Sequence, residues 1–184
     1  MLSANIYYQP FDDDIENIIR TLGLKKKASN HYTISSKSEK EIAVLTIMPE
    51  ETQLHYTFSG NLSFEEYETI HNTMIHITDL CNGEVDDSQS LIGYLENGEK
   101  VNIVKNWDEW SLFINKAKYK TLEGQKIRLL DDKNSELASG LLVDYKFELN
   151  RTQSFCITEC TLITSFGERK FSGEQLLIEP TDRW

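Results

Sequence analysis

Residues 140–150 of the chain read GLLVDYKFELN, and this stretch indicates what kind of domain the C-terminal half forms. It begins at a glycine, continues as an alternation of apolar and polar residues, and ends at a Leu-Asn pair. Such alternation is typical of a strand with one buried face, and glycine and asparagine commonly mark bends and turns. The pattern therefore predicts one strand, from Ala138 to Leu149.

Strand patterns continue on both sides of this stretch. From Gln125 onward the sequence predicts strands only, separated by turn-forming residues. The expected strands are 125–131, 138–149, 154–164, 168–172 and 175–179. A helix precedes them, with Asn106 as its expected N-cap. Its expected buried face consists of Trp110, Phe113, Ile114 and Ala117. A short helix followed by five short strands predicts a small, bent barrel.

The C-terminal part, residues 106–180, resembles the Sm/LSm family and, more broadly, SH3-like barrels. The family's first motif is a glycine followed at set spacings by an apolar residue, an aromatic residue, a Met or Leu, and an asparagine. The matching residues are Gly140, Leu142, Tyr145, Leu149 and Asn150. The second motif, a basic residue and a glycine before an apolar strand, is similar to SGEQL at residues 172–176. The resemblance implies a five-stranded SH3/Sm-like barrel.

The resemblance also implies RNA binding or oligomerisation, although several functional positions differ. The acidic residue of the first motif is Lys146 here, and the arginine of the second motif is Ser172. Of the family's RNA contacts, Asn150 is retained. Lys116 adds to a basic patch in this part of the chain. If the unit binds nucleic acid, the expected contacts are Lys118, Lys120, Lys126, Arg128, Lys146 and Asn150.

The N-terminal part of the sequence predicts a separate module. Strands are expected at 5–11, 31–36, 41–48 and 53–59, with another short strand after Gly83. A first helix is expected from Asp12 to Gly23, and a second helix follows a capping box formed by Ser63 and Glu66. The order β-α-β-β-β-α-β predicts a compact α/β sandwich-type module, so the whole chain is expected to be α+β.

The two expected domains are 1–88 and 89–184. The second domain opens with a hairpin around Asn97-Gly98, a dipeptide that strongly favours a two-residue hairpin turn. With 184 residues, of which 39% are hydrophobic, the chain is long enough for two small cores. No linker rich in proline, glycine or serine separates the domains.

Acidic residues are concentrated in the N-terminal half. The chain has a net charge of −11, and residues 1–90 carry 15 acids and 6 bases. A negative surface repels phosphate backbones and attracts basic proteins, although the same charge could serve solubility alone. We expect the first module to bind a basic protein through acids at helix starts and turns, with aromatic anchors. The expected contacts are Asp12, Asp13, Asp14, Glu65, Glu66, Glu68, Asp86, Asp87, Tyr8 and Trp184.

No catalytic or cofactor motif is present in the sequence. It lacks GxSxG, a phosphate-binding glycine loop, HExxH and an EF-hand loop. The cysteines Cys81, Cys156 and Cys160 have no CxxC spacing, and we expect them to be small buried hydrophobic residues. We therefore expect no cofactor, no metal and no catalytic residues.

The histidines leave one enzymatic alternative open. His71 and His76 are five residues apart on a predicted helix, so they point in different directions and cannot share a metal. His31 and His55 lie in separate predicted strands. An enzyme would require a polar pocket that joins one of these two histidines with carboxylates.

The chain is expected to be cytoplasmic. It has no apolar run of the roughly 18 residues that a membrane-spanning helix needs, and its N-terminus lacks the features of a secretory signal. The leading hypothesis is a non-catalytic binding protein of the bacterial immunity or phage-inhibitor type, in which carboxylates occupy a cationic site on a nuclease-like toxin or host factor. The alternative is an Sm-like module for RNA binding or oligomerisation.

Overall fold

The computed structural model describes residues 1–9, 15–149 and 155–181. In these residues the chain forms three α-helices and twelve β-strands, and every strand pair is antiparallel. The fold is therefore mixed α+β, as the sequence predicts. The chain divides into two compact units, Met1–Trp107 and Asp108–Trp184.

The first unit contains one six-stranded sheet, two helices and a small hairpin. Its strands in the sheet are β1 (Leu2–Tyr7), β2 (Lys25–Ala28), β3 (His31–Ser35), β4 (Glu41–Met48), β5 (Gln53–Phe58) and β6 (Glu84–Asp86). Its helices are α1 (Ile15–Thr21) and α2 (Phe64–Leu80), with a 3₁₀ turn at Pro49–Glu51. The hairpin joins β7 (Gly93–Tyr94) to β8 (Lys100–Val101) around Asn97-Gly98, as predicted. The strand order in the sheet is β2-β3-β4-β5-β1-β6.

One face of this sheet is apolar and carries the core of the first unit. Ala4, Tyr56, Leu45 and Tyr32 are cross-strand neighbours on β1, β5, β4 and β3, and none is more than 1% exposed. Helix α2 buries a stripe of Tyr67, Ile70, Met74 and Ile77, and it packs against β4. The opposite face of the sheet carries mainly polar side chains, which is usual for an antiparallel sheet with one covered face.

The order of elements differs from the prediction by one strand. The three lysines at 25–27, where no strand was predicted, belong to β2, which pairs with β3. A run of three lysines has no alternation, so the sequence pattern does not reveal a strand there. Gly23 follows α1 with a φ of +75°, a left-handed conformation that suits a helix C-terminus. The expected N-cap of α1, Asp12, lies outside the described residues.

The predicted capping box at the start of α2 is confirmed. The Ser63 hydroxyl accepts a hydrogen bond from the Glu66 amide, and the Glu66 carboxylate accepts one from the Ser63 amide. Two amides that a helix start leaves unpaired are thereby satisfied.

The division between the units lies after Trp107 rather than after residue 88. The segment from 89 to 107 is held to the first unit by hydrogen bonds that sequence spacing does not reveal. The Asp87 carboxylate accepts bonds from the amides of Val104 and Lys105, at 2.8 and 2.7 Å. The His71 ring contacts the Ile103 carbonyl oxygen at 2.7 Å and stacks on Trp107 with ring centroids 4.3 Å apart.

The second unit contains one helix and one four-stranded sheet. They are α3 (Trp107–Lys120, whose first residue belongs to the first unit), β9 (Lys126–Leu130), β10 (Glu136–Leu149), β11 (Phe155–Thr164) and β12 (Gly167–Pro180). The sheet closes on itself because β9 pairs with both β10 and β12. Its interior core consists of Ile127, Leu129, Leu142, Ile157, Cys160, Leu162, Leu176 and Ile178.

Two predictions for this unit are wrong in detail. The last two expected strands form a single strand, β12, so the described sheet has four strands and not five. Residues 168–172 of β12 pair with β11, and residues 177–180 pair with β9, so Gly173 does not interrupt the strand. Asn106 has a φ of +62° and its side-chain amide donates to the Lys100 carbonyl, a geometry unlike that of the extended N-cap we expected.

Candidate protein-interaction surface

The most exposed tyrosine of the first unit's sheet lies where β1 ends, next to the edge strand β6. Tyr7 is 44% exposed, and its cross-strand neighbours are Gln53 on β5 and Glu84 on β6. Asp86 lies two residues further along β6, so its side chain shares the open face of the sheet with Glu84 and Tyr7. The predicted anchor Tyr8 is half-buried, and burial raises the pKa of its phenol.

Two more carboxylates lie at the same end of the sheet. The 3₁₀ turn between β4 and β5 carries Glu50 and Glu51, and both are exposed. Thr52 ends this turn in the left-handed region with a φ of +47°, and its carbonyl accepts a hydrogen bond from the Tyr8 amide at 3.0 Å. That bond ties the turn to the end of β1. We call Tyr7, Glu50, Glu51, Glu84 and Asp86 the acidic edge.

The carboxylates of the acidic edge differ from Glu16, Glu41 and Glu66 of the same unit in forming no ion pair with a described residue. None of the four forms an ion pair with another described residue, whereas Glu16, Glu41 and Glu66 each pair with a lysine at 2.8 to 3.0 Å. The Asp86 carboxylate accepts a bond from the Ser88 hydroxyl and amide, which lowers its pKa and keeps it ionised. The surface is therefore anionic and lies at the same end of the sheet as the exposed Tyr7 ring.

The structure does not bring the remaining predicted acids to this surface. Glu65, Glu66 and Glu68 lie in the first two turns of α2, and Glu84 follows the other end of that 17-residue helix. A helix of this length spans about 25 Å, which separates the two groups. The Glu66 carboxylate takes part in the capping box and also pairs with Lys40. The hydrogen bonds from Lys40 and from the Ser63 amide lower the pKa of the Glu66 carboxyl.

Asp87 has a structural role, because its carboxylate binds the amides of Val104 and Lys105. The other predicted contacts, Asp12, Asp13, Asp14 and Trp184, lie outside the described residues, as does Asn150 of the nucleic-acid alternative. Tyr7, Glu50, Glu51 and Glu84 were not among the contacts expected from the sequence. The alternation in β1 could have identified Tyr7, because Ala4 and Ile6 face the core and residue 7 must face outward.

The two strand histidines form part of a polar row across the open sheet face. Cross-strand pairing places His31, Thr46, His55, Asn5 and Asp86 side by side on β3, β4, β5, β1 and β6. His55 Nδ1 lies 2.7 Å from the Asn5 side-chain oxygen, and His31 Nδ1 lies 2.7 Å from the Ser29 carbonyl oxygen. Within the described ranges, no group of three metal-binding side chains is close enough to hold an ion.

The cations of the nucleic-acid alternative lie on three elements of the second unit. Lys118 and Lys120 are on α3, Lys126 and Arg128 on β9, and Lys146 on β10. Three of them are neutralised by carboxylates. The pairs are Lys120 with Glu123 at 2.6 Å, Arg128 with Glu179 at 2.6 Å, and Lys146 with Glu159 at 2.9 Å.

An open groove of about 430 Å³ lies between α3 and β10 in the second unit. Its helical wall consists of Phe113, Lys116, Ala117 and Lys120, and its strand wall includes Asp144, Tyr145 and Phe147. We predicted Phe113 and Ala117 to be buried, but Phe113 is 42% exposed and Ala117 is also exposed. Phe147 stacks on Phe155 with ring centroids 4.5 Å apart, and the Lys116 ammonium lies 5.1 Å from the Phe147 ring.

Of the helices in the described residues, none combines the length and the apolar character needed to cross a membrane. The three cysteines are buried and unpaired, and burial raises the pKa of Cys81 and raises that of Cys160 to about 12. A comparison with protein-family models, with curated proteins and with solved structures found no match to this chain.

Proposed function

We propose that this protein is a non-catalytic, cytoplasmic binding protein of the immunity or phage-inhibitor type, and that its first unit engages a basic protein through the acidic edge. The observation that carries this proposal is the exposure of Tyr7 among four carboxylates that form no ion pair with a described residue. A half-exposed aromatic ring bordered by charge is a common form of interface anchor.

The distribution of charge supports a basic partner. The first unit carries 17 acids and 8 bases, whereas the second carries 13 acids and 11 bases. Unpaired carboxylates attract lysine and arginine side chains and steer their approach, and they remain available because no lysine of the described chain must first be displaced. The carboxylates of this surface would bind a cationic active site in place of the phosphate groups that such a site normally holds.

We also propose that the second unit is a small SH3/Sm-like barrel. The cyclic pairing of β9, β10, β11 and β12 around eight buried residues supports this assignment. Nucleic-acid binding is less well supported than protein binding, because Lys120, Arg128 and Lys146 are already neutralised by Glu123, Glu179 and Glu159. A phosphate would have to compete with these carboxylates for each cation.

The test is a binding experiment with charge reversal at the acidic edge. The immobilised full chain is exposed to a lysate, and the retained basic protein is identified, purified and titrated against the chain. We expect the double variant Glu50→Lys/Glu84→Lys to raise the dissociation constant of the complex by about tenfold or more. Both substitutions place a cation opposite a cationic partner. Binding of the original chain is expected to weaken between roughly 50 and 500 mM salt.

The matched control is Glu168→Lys/Glu174→Lys, which changes the net charge equally but alters exposed residues of the second unit. The control should bind as the original chain does. Equal weakening in both double variants would mean that net charge alone drives the interaction. Binding that disappears after nuclease treatment of the lysate would contradict a protein partner.

A further inference from the structure

Half of β10 has a strand partner on one side only. Residues 136–141 of β10 pair with β9, and residues 141–149 pair with β11. On the β9 side, the last backbone bonds join Leu142 to Gly124 and Gln125. Beyond them, in the part of the chain that the structure describes, no strand pairs with that side of Asp144–Leu149. We call residues 144–149 the free edge of β10.

The side chains of the free edge alternate in character. Tyr145, Phe147 and Leu149 point to the side of the sheet occupied by Cys160, Ile157 and Phe155, their partners on β11. Asp144, Lys146 and Glu148 point to the other side and are exposed. Leu149 is 42% exposed although it lies on the apolar side. The free edge thus has one apolar face that is incompletely covered and one charged face.

This sequence is complementary to itself in the antiparallel register centred on Phe147. We propose that two copies of the chain pair through the free edges of β10, with Phe147 of one copy opposite Phe147 of the other on a two-fold axis. Lys146 then lies opposite Glu148 twice, and Tyr145 lies opposite Leu149 twice. Directly opposed residues of an antiparallel pair share a face, so opposite charges meet on one side and apolar groups on the other.

Neighbouring registers are unfavourable. A register centred on Lys146 would place Asp144 opposite Glu148 and Lys146 opposite Lys146, which brings like charges together on one face. A register centred between Lys146 and Phe147 would place each charged residue opposite an apolar one. A register centred on Tyr145 also places Asp144 opposite Lys146, but it extends toward Leu142, whose backbone is already bonded to Gly124 and Gln125. Charge complementarity and the length of the free edge together select a second copy of the chain, in the register centred on Phe147, as the occupant of this edge.

The groove between α3 and β10 lies beside the free edge, since Asp144, Tyr145 and Phe147 form part of its strand wall, and the Tyr145 hydroxyl crosses it to donate to the Lys116 carbonyl at 3.2 Å. An added strand would lie about 4.8 Å from β10. Its side chains would extend the apolar surface of Tyr145, Phe147 and Leu149 toward the exposed ring of Phe113. Paired backbone groups satisfy the amides and carbonyls of the edge, and a closed two-fold contact produces a dimer and not a fibre.

Sedimentation of the full chain over a concentration series up to roughly 0.5 mM tests the proposal, because an interface this small is expected to form a weak dimer. We expect a monomer–dimer equilibrium. Lys146→Glu and Glu148→Lys should each weaken the dimer by about tenfold or more, since each replaces two attractive pairs with two repulsive ones. The double variant Lys146→Glu/Glu148→Lys should restore association to within about threefold, because it reverses the charges and keeps them opposite.

Lys170→Glu is the matched control. Lys170, like Lys146, pairs with Glu159, so this variant also removes a Glu159 ion pair but leaves the free edge intact. Its dimerisation should be unchanged. A chain that stays monomeric throughout the series overturns the proposal. So does an oligomer that survives both single variants unchanged, or one that the double variant fails to restore.

A cross-linking experiment tests the register independently of charge. Lys146→Cys and Glu148→Cys chains are mixed under mild oxidation, since opposed residues have Cα atoms about 5 Å apart, within disulfide range. Both chains also carry Cys156→Ser, because Cys156 lies directly opposite Glu148 on β11 and would compete for a cysteine at that position. The other two native cysteines are buried. We expect a mixed disulfide dimer, and much less cross-linking of either variant with itself. Equal cross-linking in all three samples overturns the register.

Discussion

The hydroxyl of Tyr56 is buried in the core of the first unit without a hydrogen-bond partner among the described residues. Its ring packs on the apolar face of the sheet between Ala4 and Leu45. Burial strongly raises the pKa of this phenol, so it stays neutral. A buried polar group that loses water and gains no partner costs free energy, and Tyr56 therefore weakens the fold through its oxygen while its ring stabilises it.

We predict that Tyr56→Phe leaves the free energy of unfolding unchanged or raises it by about 1–2 kcal/mol, because the substitution removes the unpaired hydroxyl and keeps the ring. Urea denaturation measures this change. Tyr32→Phe is the matched control, since Tyr32 is equally buried but its hydroxyl donates to the Glu16 carboxylate at 2.9 Å. The control should lose about 1–3 kcal/mol. A loss of stability in Tyr56→Phe as large as in the control would contradict the assignment.

Individual residues were predictable where a local sequence rule applies. They were less predictable where the exposure of a side chain depends on the residue at which a strand ends. Tyr8 was an expected contact, and the first strand was predicted to cover 5–11. The strand in fact covers Leu2–Tyr7, so Tyr8 lies beyond its end and Tyr7 is the exposed ring. Strand ends depend on cross-strand partners, here Gln53 and Glu84, which the local pattern does not contain.

At the level of elements, helix α2 was the most predictable because its signals are local. Its capping box and its apolar stripe lie within the helix sequence itself, and both are present in the structure. Strand β12 was less predictable, because turn-like residues around Gly173 do not reveal that the strand changes partner from β11 to β9. The predicted buried face of α3 was wrong for Phe113 and Ala117, which are exposed. Helical periodicity does not show which side of a helix a neighbouring element will cover.

We predict that Ser63→Ala lowers the free energy of unfolding by about 1 kcal/mol, because it removes the acceptor for the Glu66 amide at the start of α2. Thermal and urea unfolding of the two proteins measure the difference. Ser63→Thr keeps a capping hydroxyl and should lose only a fraction of that amount. If the alanine and threonine variants are equally stable, the hydroxyl does not contribute as the geometry indicates.

For the whole molecule, the sequence predicts the amount of negative charge but not its position. The acids at 65–68 and at 84–87 look equivalent along the chain, yet Glu66 and Asp87 are used to hold α2 and the 104–105 backbone. The four carboxylates of the acidic edge lie at one end of the sheet, on elements distant in sequence. Only the topology brings the turn at Glu50 and the edge strand at Glu84 to the same end of the sheet as Tyr7.

Ion pairs also make the stability of the molecule depend on pH. Glu16, Glu66 and Glu159 have carboxyl pKa values below the ordinary 4.5, chiefly because Lys26, Lys40 and Lys170 donate hydrogen bonds to them. A carboxyl whose pKa is lower in the folded state stabilises the fold above its unfolded pKa. That contribution is lost as the pH falls through the lowered folded pKa. We therefore predict that stability declines as the pH falls below about 4.5.

Urea denaturation at a series of pH values between about 7 and 3 measures this decline. Lys40→Met removes the main cause of the lowered pKa of Glu66, so the decline should become shallower in that variant. Lys37→Met is the control, because Lys37 is exposed and forms no ion pair with another described residue. A stability that stays constant across the acid range, or that rises, would show that these pairs contribute nothing.

Strand β2 has a consequence for the behaviour of the protein at high concentration. It is the outermost strand of its sheet, and all four of its residues are exposed. The unpaired backbone groups at a strand edge can hydrogen-bond to a further strand, and ordered fibrils grow by such additions. Here an arriving strand would meet three consecutive ammonium groups, and desolvating them is costly. Acetylation of these lysines would remove that barrier, together with the ion pairs of Lys26 with Glu16 and of Lys27 with Glu41.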